Sequence, residues 1–260
     1  ALSLSSCDDF LTVESDTGVT SLNYWKNASD LNAANHGLYA TFRYNIAYNS
    51  SVVYRDRGLP FDVLGIWTNP SNNDLSRGWT QTHGCINWNN EYKVVNEANL
   101  ILDNIERADL TREQYNFFRG QALGLRAYVY FYMLQNWGDV PLIVHAEDVG
   151  MKSRTAWQEV AERCIVDLRE AITLLPVADE LRDIEGNPVT SKQAVSSGTC
   201  HAILAHLYAW KAHVVGGQED LKEAEKWASK LIEEKYRDEV GVYTLAENPE
   251  EVCAEVMHRK

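Results

Sequence analysis

The sequence predicts a mainly α-helical protein, built from paired helices that are joined by long irregular loops, with at most a few short strands. Two patterns carry this prediction. Apolar residues recur at spacings of three and four through most of 89–235, as they do on one face of a helix. Glycine, proline and asparagine instead punctuate 45–88, where that spacing is lost.

The chain opens on a short stretch of leucine and serine that is typical of the end of a signal peptide. Residues 4–7, LSSC, are similar to a lipobox, whose cysteine becomes the lipidated first residue of a mature bacterial protein. We therefore expect residues 1–6 to be a signal-peptide remnant and Cys7 to carry a lipid. A buried or free cysteine is the alternative interpretation.

Helical spacing first appears around Ser29 and continues to Phe42. The following segment, 45–88, carries glycine or proline at six positions, with clusters of asparagine and serine between them. This composition predicts long loops with short strands at most. Loops of such length inside a compact protein are usually functional, so a binding site is expected here.

The strongest helical patterns lie at 89–105 and 111–137. Thr111 and Gln114 form a capping-box signature at the start of the second of these helices. Gly138 is expected to end that helix, because glycine readily adopts the backbone conformation that follows a last helical turn.

A fourth helix is predicted over 155–175, where Thr155 and Gln158 repeat the capping signature and Pro176 ends the pattern. Two more helices are predicted within 198–235, joined by a VGGQ turn.

The last two helices carry small residues that would let them approach each other closely. These residues are Ala202, Ala205, Ala209, Ala224 and Ala228. Such helix pairs resemble tetratricopeptide-type repeats, although the chain shows no strict repeat of about 34 residues. The alternating residues 251–256 predict one short strand.

The composition excludes several functional classes. With 24 basic and 37 acidic side chains, the net charge of −13 repels phosphate backbones, so nucleic acid is not an expected partner. No run of 18 apolar residues is present that would span a membrane. The cysteines form no CxxC pair and the histidines no zinc-like cluster, so we expect neither a metal nor a cofactor. Four cysteines remain besides Cys7, and most of them are expected to be inert core thiols; the four are Cys85, Cys164, Cys200 and Cys253.

Aromatic and polar residues are concentrated between positions 67 and 79. Sugar recognition needs a flat apolar ring for the C–H face of a pyranose, and amide, carboxylate or guanidinium groups for its hydroxyls. The segment supplies both, and we predict glycan binding at Trp67, Asn72, Asn73, Asp74, Arg77 and Trp79. Alternatively, the two tryptophans hold the loops on the helices and the polar residues cap turns. A second candidate patch is 88–91 (WNNE), whose polar groups are equally candidate helix caps.

Other conspicuous residues are expected to be structural. Arg126 shares a helix with the apolar stripe, so a buried or half-buried ion pair is expected rather than a ligand contact. Trp137, beside Gly138, is expected to pack the helix end. Three histidines of one helix lie five and seven residues apart, which makes no metal-ligand pair: His201, His206 and His213.

Four stretches, taken in order, resemble the SusD/RagB family of bacterial glycan-binding lipoproteins. They are 7–11 (CDDFL), 24–40 with its YW and AANHGLYA runs, 98–142 with AN, GQALGLRAY, FY and GDVPL, and 202–232. The chain departs from the family at Gln121, usually Glu or Lys, and at Gly124, usually a large or charged residue. Family members are also about twice as long. We therefore expect one SusD-like domain over 7–260, corresponding to the N-terminal part of the family fold.

The resemblance implies a stack of helix pairs whose irregular loops carry a ligand site. It also implies a lipid-anchored protein at the outer-membrane surface, which binds oligosaccharides or polysaccharides and passes them to a SusC-like TonB-dependent transporter. A helical scaffold that binds protein is the alternative. A glycoside hydrolase is a weaker one, because candidate carboxylates such as Asp62 and Asp74 are not singled out as an acid and a base. No GxSxG, HExxH or phosphate-binding glycine loop indicates an enzyme.

Overall fold

The computed structural model describes residues 24–48, 88–148, 150–189 and 194–233, and within them it confirms the predicted helical fold class. Only isolated β-bridges accompany the helices in these ranges. The α-helices are α1 (Ala28–Phe42), α2 (Asn89–Asn104), α3 (Arg112–Trp137), α4 (Trp157–Leu174), α5 (Ser197–Val215) and α6 (Gln218–Glu233).

Each helix packs against its neighbour along the chain, which is the arrangement expected of stacked helix pairs. The contacts are most extensive between α3 and α4 and between α5 and α6, while α1 lies against both α2 and α3. Helix α3 is central, because most of its residues from Phe118 to Leu134 are buried. The apolar stripes that define the helices in the sequence therefore meet in one shared core.

Helical structure continues beyond α1, as a π-helix over Arg43–Tyr48. The prediction of loop from residue 45 is therefore wrong for its first four residues. Two side chains account for the extension. Ile46 is buried in the core, and the Asn45 amide donates a hydrogen bond to the Thr41 carbonyl one turn back.

The capping box predicted for α3 is confirmed. The Thr111 hydroxyl accepts from the Gln114 amide N–H at 3.2 Å, and the Gln114 side chain accepts in return from the Thr111 N–H at 3.0 Å. Both donors lie in the first turn, where they have no partner within the helix.

The capping signature predicted for α4 is wrong. Its N-cap is Ala156, and the Trp157 N–H is bound instead by the Asp139 carboxylate at 2.8 Å. Thr155 is engaged elsewhere, because its hydroxyl accepts from the Leu142 N–H and its own N–H donates to the Val140 carbonyl. Tertiary hydrogen bonds thus replace the local cap.

The small residues of α5 and α6 only partly mediate their crossing. Ala224 is buried and Ala205 and Ala228 are half-buried, but Ala202 and Ala209 are exposed. The latter two lie seven residues apart, on one face of α5, opposite the buried Leu204 and Tyr208. The turn between the helices ends α5 at Gly216 in the left-handed conformation that glycine favours.

Cys164 and Cys200 are free thiols in the core, as expected for inert cysteines. Burial raises the pKa of Cys200 to about 12 and that of Cys164 further still, which keeps both protonated. Cys85 and Cys253 lie outside the described residues. Among the helices of the described ranges, none is long and apolar enough to cross a membrane.

Candidate glycan-binding site

The predicted glycan-binding residues lie outside the residues that the structure describes. The predicted lipidation site Cys7, the strand predicted at 251–256 and the candidate catalytic carboxylate Asp62 also lie outside the described residues. The residues concerned at the glycan site are Trp67, Asn72, Asn73, Asp74, Arg77 and Trp79. The second candidate patch, 88–91, is described in full, and it lies nine residues after Trp79 in the sequence.

Trp88 stands immediately before α2 and is half-buried in an aromatic group. Its ring meets Tyr92 edge-to-face at 6.5 Å and Trp137 at 6.3 Å between ring centroids. The Arg154 guanidinium lies over the indole, 5.0 Å from its centroid. We call Trp88, Tyr92, Trp137 and Arg154 the Trp88 cluster. It brings together residues of α2, the end of α3 and the segment before α4.

The polar residues of the patch lie in the first turn of α2, directly after its N-cap. The N-cap is Trp88, and it makes no side-chain capping hydrogen bond. Asn89 is exposed, and Asn90 accepts a hydrogen bond from the Lys93 ammonium at 3.1 Å. Glu91 is buried. The residues that follow Trp88 therefore comprise one exposed amide, Asn89, and one half-buried amide, Asn90.

Tyr92 fixes the inner side of the cluster. Its hydroxyl donates a hydrogen bond to the Pro141 carbonyl, and its ring lies edge-to-face with Tyr130 at 6.4 Å. Burial raises the pKa of Tyr92 well above its ordinary value, so the hydroxyl stays protonated and remains a donor.

Arg154 is placed by its neighbour Thr155, which is bonded to Val140 and Leu142 just after α3. The guanidinium itself is exposed. A cation over an indole is favourable because the ring face carries partial negative charge. The arrangement leaves guanidinium N–H donors at the rim of an aromatic surface, a combination suited to hydroxyl-bearing ligands.

Arg126 forms the buried ion pair that the sequence predicts, and its partner is Asp167 of α4. The same guanidinium donates to the Asn99 side-chain oxygen and to the Val144 carbonyl. Tyr130 adds hydrogen bonds with both the N–H and the carbonyl of Ile143. These contacts hold the irregular segment after α3 against α2 and α3, and this segment carries the Pro141 that anchors Tyr92.

The three histidines of α5 do not converge. His201 is buried and stacked on Trp227 at 5.4 Å, His206 meets the Phe131 ring at the surface, and His213 is exposed. Trp137 packs the end of α3, as expected, although its role in the Trp88 cluster was not foreseen. The sequence offered a signal for Trp137 in its position beside a helix stop, but none for Arg154, which meets Trp88 only through tertiary structure.

A family model described as starch-binding and associating with the outer membrane, the SusD-like model, matches residues 9–208. A curated SusD-like protein of Formosa agariphila is 29% identical over 181 residues, which cover 65% of this chain and 34% of that protein. A second SusD-like protein of the same organism is 24% identical over 217 residues, covering 80% and 41%.

Solved structures agree on the fold. A SusD superfamily protein of Bacteroides thetaiotaomicron is 25% identical with a TM-score of 0.61, covering 80% of this chain and 48% of that one. A SusD homologue from the same species has a TM-score of 0.65 at 21% identity, covering 85% and 44%. The chain thus spans about a third to a half of the length of these relatives. Since the family model covers well over half of the chain, the protein belongs to the SusD-like family.

Proposed function

We propose that this protein binds oligosaccharides or polysaccharides at the outer-membrane surface without cleaving them, and that it delivers them to a SusC-like TonB-dependent transporter. Membership of a family described as starch-binding supports the proposal. The observation that carries it in this chain is the Trp88 cluster, where a half-buried indole lies under a guanidinium and is followed in the chain by the exposed Asn89.

In the proposed mode of binding, the part of the Trp88 indole that Arg154 leaves uncovered contacts the C–H face of a sugar ring. Arg154 donates hydrogen bonds to hydroxyls, and Asn89 and Asn90 donate or accept them. We propose that the preceding segment completes the site through Trp67, Asn72, Asn73, Asp74, Arg77 and Trp79. Recognition through ring contacts and hydrogen bonds to hydroxyls needs no nucleophile and no proton transfer, so the sugar would leave chemically unchanged.

We expect loss of the indoles to weaken glycan binding. Trp88→Ala, Trp67→Ala and Trp79→Ala should each lower affinity about three- to tenfold, since one ring contact contributes about 0.5–1.5 kcal/mol. Arg154→Ala should have a similar effect, and because this residue is exposed, the variant should fold normally. Affinity electrophoresis in gels containing soluble starch, laminarin or xylan measures the change.

The matched control is Trp227→Phe, an indole packed between α5 and α6, which should leave the affinity unchanged. If all four site variants migrate like the parent in a gel that retards it, the assignment is wrong. Release of reducing ends would favour the hydrolase. Absence of any retardation, with co-purification of a membrane protein, would favour the scaffold.

Anchoring is proposed to occur through Cys7. Cys7→Ser should abolish incorporation of a fatty-acid analogue when the protein is expressed with its native upstream sequence, and should release it from the membrane fraction. One acyl chain binds a bilayer only marginally, so the anchor should carry more than one. Continued labelling of Cys7→Ser would show that another residue is modified.

A further inference from the structure

A cleft of about 530 Å³ lies at the other end of α3 from the Trp88 cluster. It is formed by the first turns of α3 and by the segment after α4, up to Gly186. Its volume falls within the range of small-ligand pockets, about 300–1,000 Å³. Glu113 and Phe117 of the cleft lie 24 and 20 residues before Trp137 on α3, so the two sites are separated by about 30–35 Å along its axis.

The floor of the cleft is apolar. It includes the Phe117 ring with Leu174, Pro176 and Ile184 beside it. Phe117 is half-buried and is held edge-to-face against the core residue Phe118, with ring centroids 5.4 Å apart. An aromatic ring that is fixed from below but open to a cleft offers a platform for the C–H face of a sugar.

The rim of the cleft is rigid. Val189 donates a backbone hydrogen bond to Leu181 at 2.9 Å, and the Asp183 carboxylate accepts from the N–H groups of Glu185 and Asn187. Desolvation raises the pKa of Asp183, but the hydrogen bonds from the Asn187 amide and from the backbone N–H groups of the turn together outweigh it and hold the pKa below its usual range. A turn already held in place loses little conformational entropy on binding.

The charge of the lining decides what the cleft can accept. Four carboxylates line it against one guanidinium: Glu113, Glu180, Asp183 and Glu185, with Arg182. That guanidinium is already engaged by the backbone carbonyls of Asp179 and Leu181 at 2.9 and 3.0 Å. The negative charge of the lining therefore repels acidic and sulfated sugars. A sugar with a protonated amine can instead pair its charge with a carboxylate and place its ring near the face of Phe117.

We propose that this cleft is a second carbohydrate-binding site, one that selects sugar units bearing a protonated amine. The inference rests on the proposed glycan-binding function for its ligand class. The sugar ring lies on Phe117, and its ammonium group contacts Glu113 of α3 or Glu185 of the segment after α4, both of which are exposed. The separation along α3 makes this site independent of the Trp88 cluster.

Two ligands that differ in charge but share their sugar rings test the proposal. The glucosamine trimer and its N-acetylated counterpart are built from the same sugar ring. Only the first carries free amines, and these are protonated at mildly acidic pH. We expect the parent protein to bind the glucosamine trimer at least about fivefold more tightly by calorimetry. Glu113→Gln/Glu185→Gln should abolish this preference, and Phe117→Ala should weaken binding of both trimers.

The control for the overall negative charge is Glu147→Gln/Glu225→Gln, which removes two carboxylates away from the cleft and should keep the preference. Equal affinity of the parent for both trimers, or a preference that survives in Glu113→Gln/Glu185→Gln, overturns the proposal. A preference that falls equally in the control pair also overturns it. If the proposed function of the Trp88 cluster is wrong, the substitutions in that cluster will not change migration in the starch, laminarin and xylan gels. The cleft variants should migrate like the parent in those gels in either case.

Discussion

Arg126→Met should lower the free energy of unfolding by about 3–5 kcal/mol, because it removes one partner of a buried ion pair. Arg126 donates to both carboxylate oxygens of Asp167, at 2.8 and 3.0 Å. The two side chains are 4% and 0% exposed, so water cannot replace the lost bonds. Urea unfolding followed by circular dichroism measures the change.

The size of this effect depends on what remains when Arg126 is removed. Asp167 keeps one cation, since Arg163 of the same helix also bonds it. The Asn99 side-chain oxygen and the Val144 carbonyl lose their Arg126 donor altogether. The expected loss therefore comes from several buried acceptors at once, and each costs about 1–3 kcal/mol when it is left unsatisfied.

A second ion pair on the same two helices supplies the control. Arg119 and Glu170 join α3 to α4 at 2.5 Å, but their side chains are 26% and 34% exposed. Solvent screens such a pair, so Arg119→Met should cost less than about 1 kcal/mol. If the two arginine variants lose the same stability, burial is not what makes the Arg126 network important.

The sequence predicted features whose cause is local and missed those whose cause is tertiary. The α3 cap was predictable because Thr111 and Gln114 lie within one turn. The α4 cap was not, because Asp139 lies 18 residues before the N–H that it binds. Likewise, the burial of Arg126 followed from its stripe, but its partner is 41 residues away.

The candidate site follows the same division. The aromatic and amide residues of 88–91 could be selected from composition. Their partners Trp137 and Arg154 could not, since they reach Trp88 only when the end of α3 and the start of α4 come together. A surface built from three separate segments of the chain has no motif of fixed residue spacing by which the sequence could reveal it.

Gln121 and Gly124, the two positions predicted to depart from the family's usual residues, both lie against Val195. Gln121 accepts from the Val195 N–H and donates to the Val195 carbonyl, at 3.0 and 2.7 Å. A carboxylate at this position could accept but not donate. Gly124, one turn further along α3, leaves room for the Val195 side chain. Gln121 and Gly124 therefore position the same residue, one through its backbone and the other through its side chain.

Replacing the close-packed glycines of α3 should be the second most damaging change. A Cβ at Gly124 would lie 2.5 Å from a methyl carbon of Val195, and one at Gly120 would lie within 2.9 Å of three carbons of Leu175. Val195 cannot easily withdraw, because its side chain is stiff and Gln121 holds its backbone. Gly120→Ala/Gly124→Ala should therefore lower the free energy of unfolding by about 2–4 kcal/mol, measured in urea.

The same substitution in α1 should have the opposite sign. A Cβ at Gly37 would meet nothing within 4 Å, so Gly37→Ala brings only the better helix propensity of alanine, a gain of up to about 1 kcal/mol. The two alanines of the α3 variant bring the same gain in helix propensity. The loss of stability measured for that variant is therefore the cost of the clashes minus this gain. Stabilisation in both helices would show that α3 can move away from α4 and α5 at little cost, and that the glycines do not set the spacing of the helix stack.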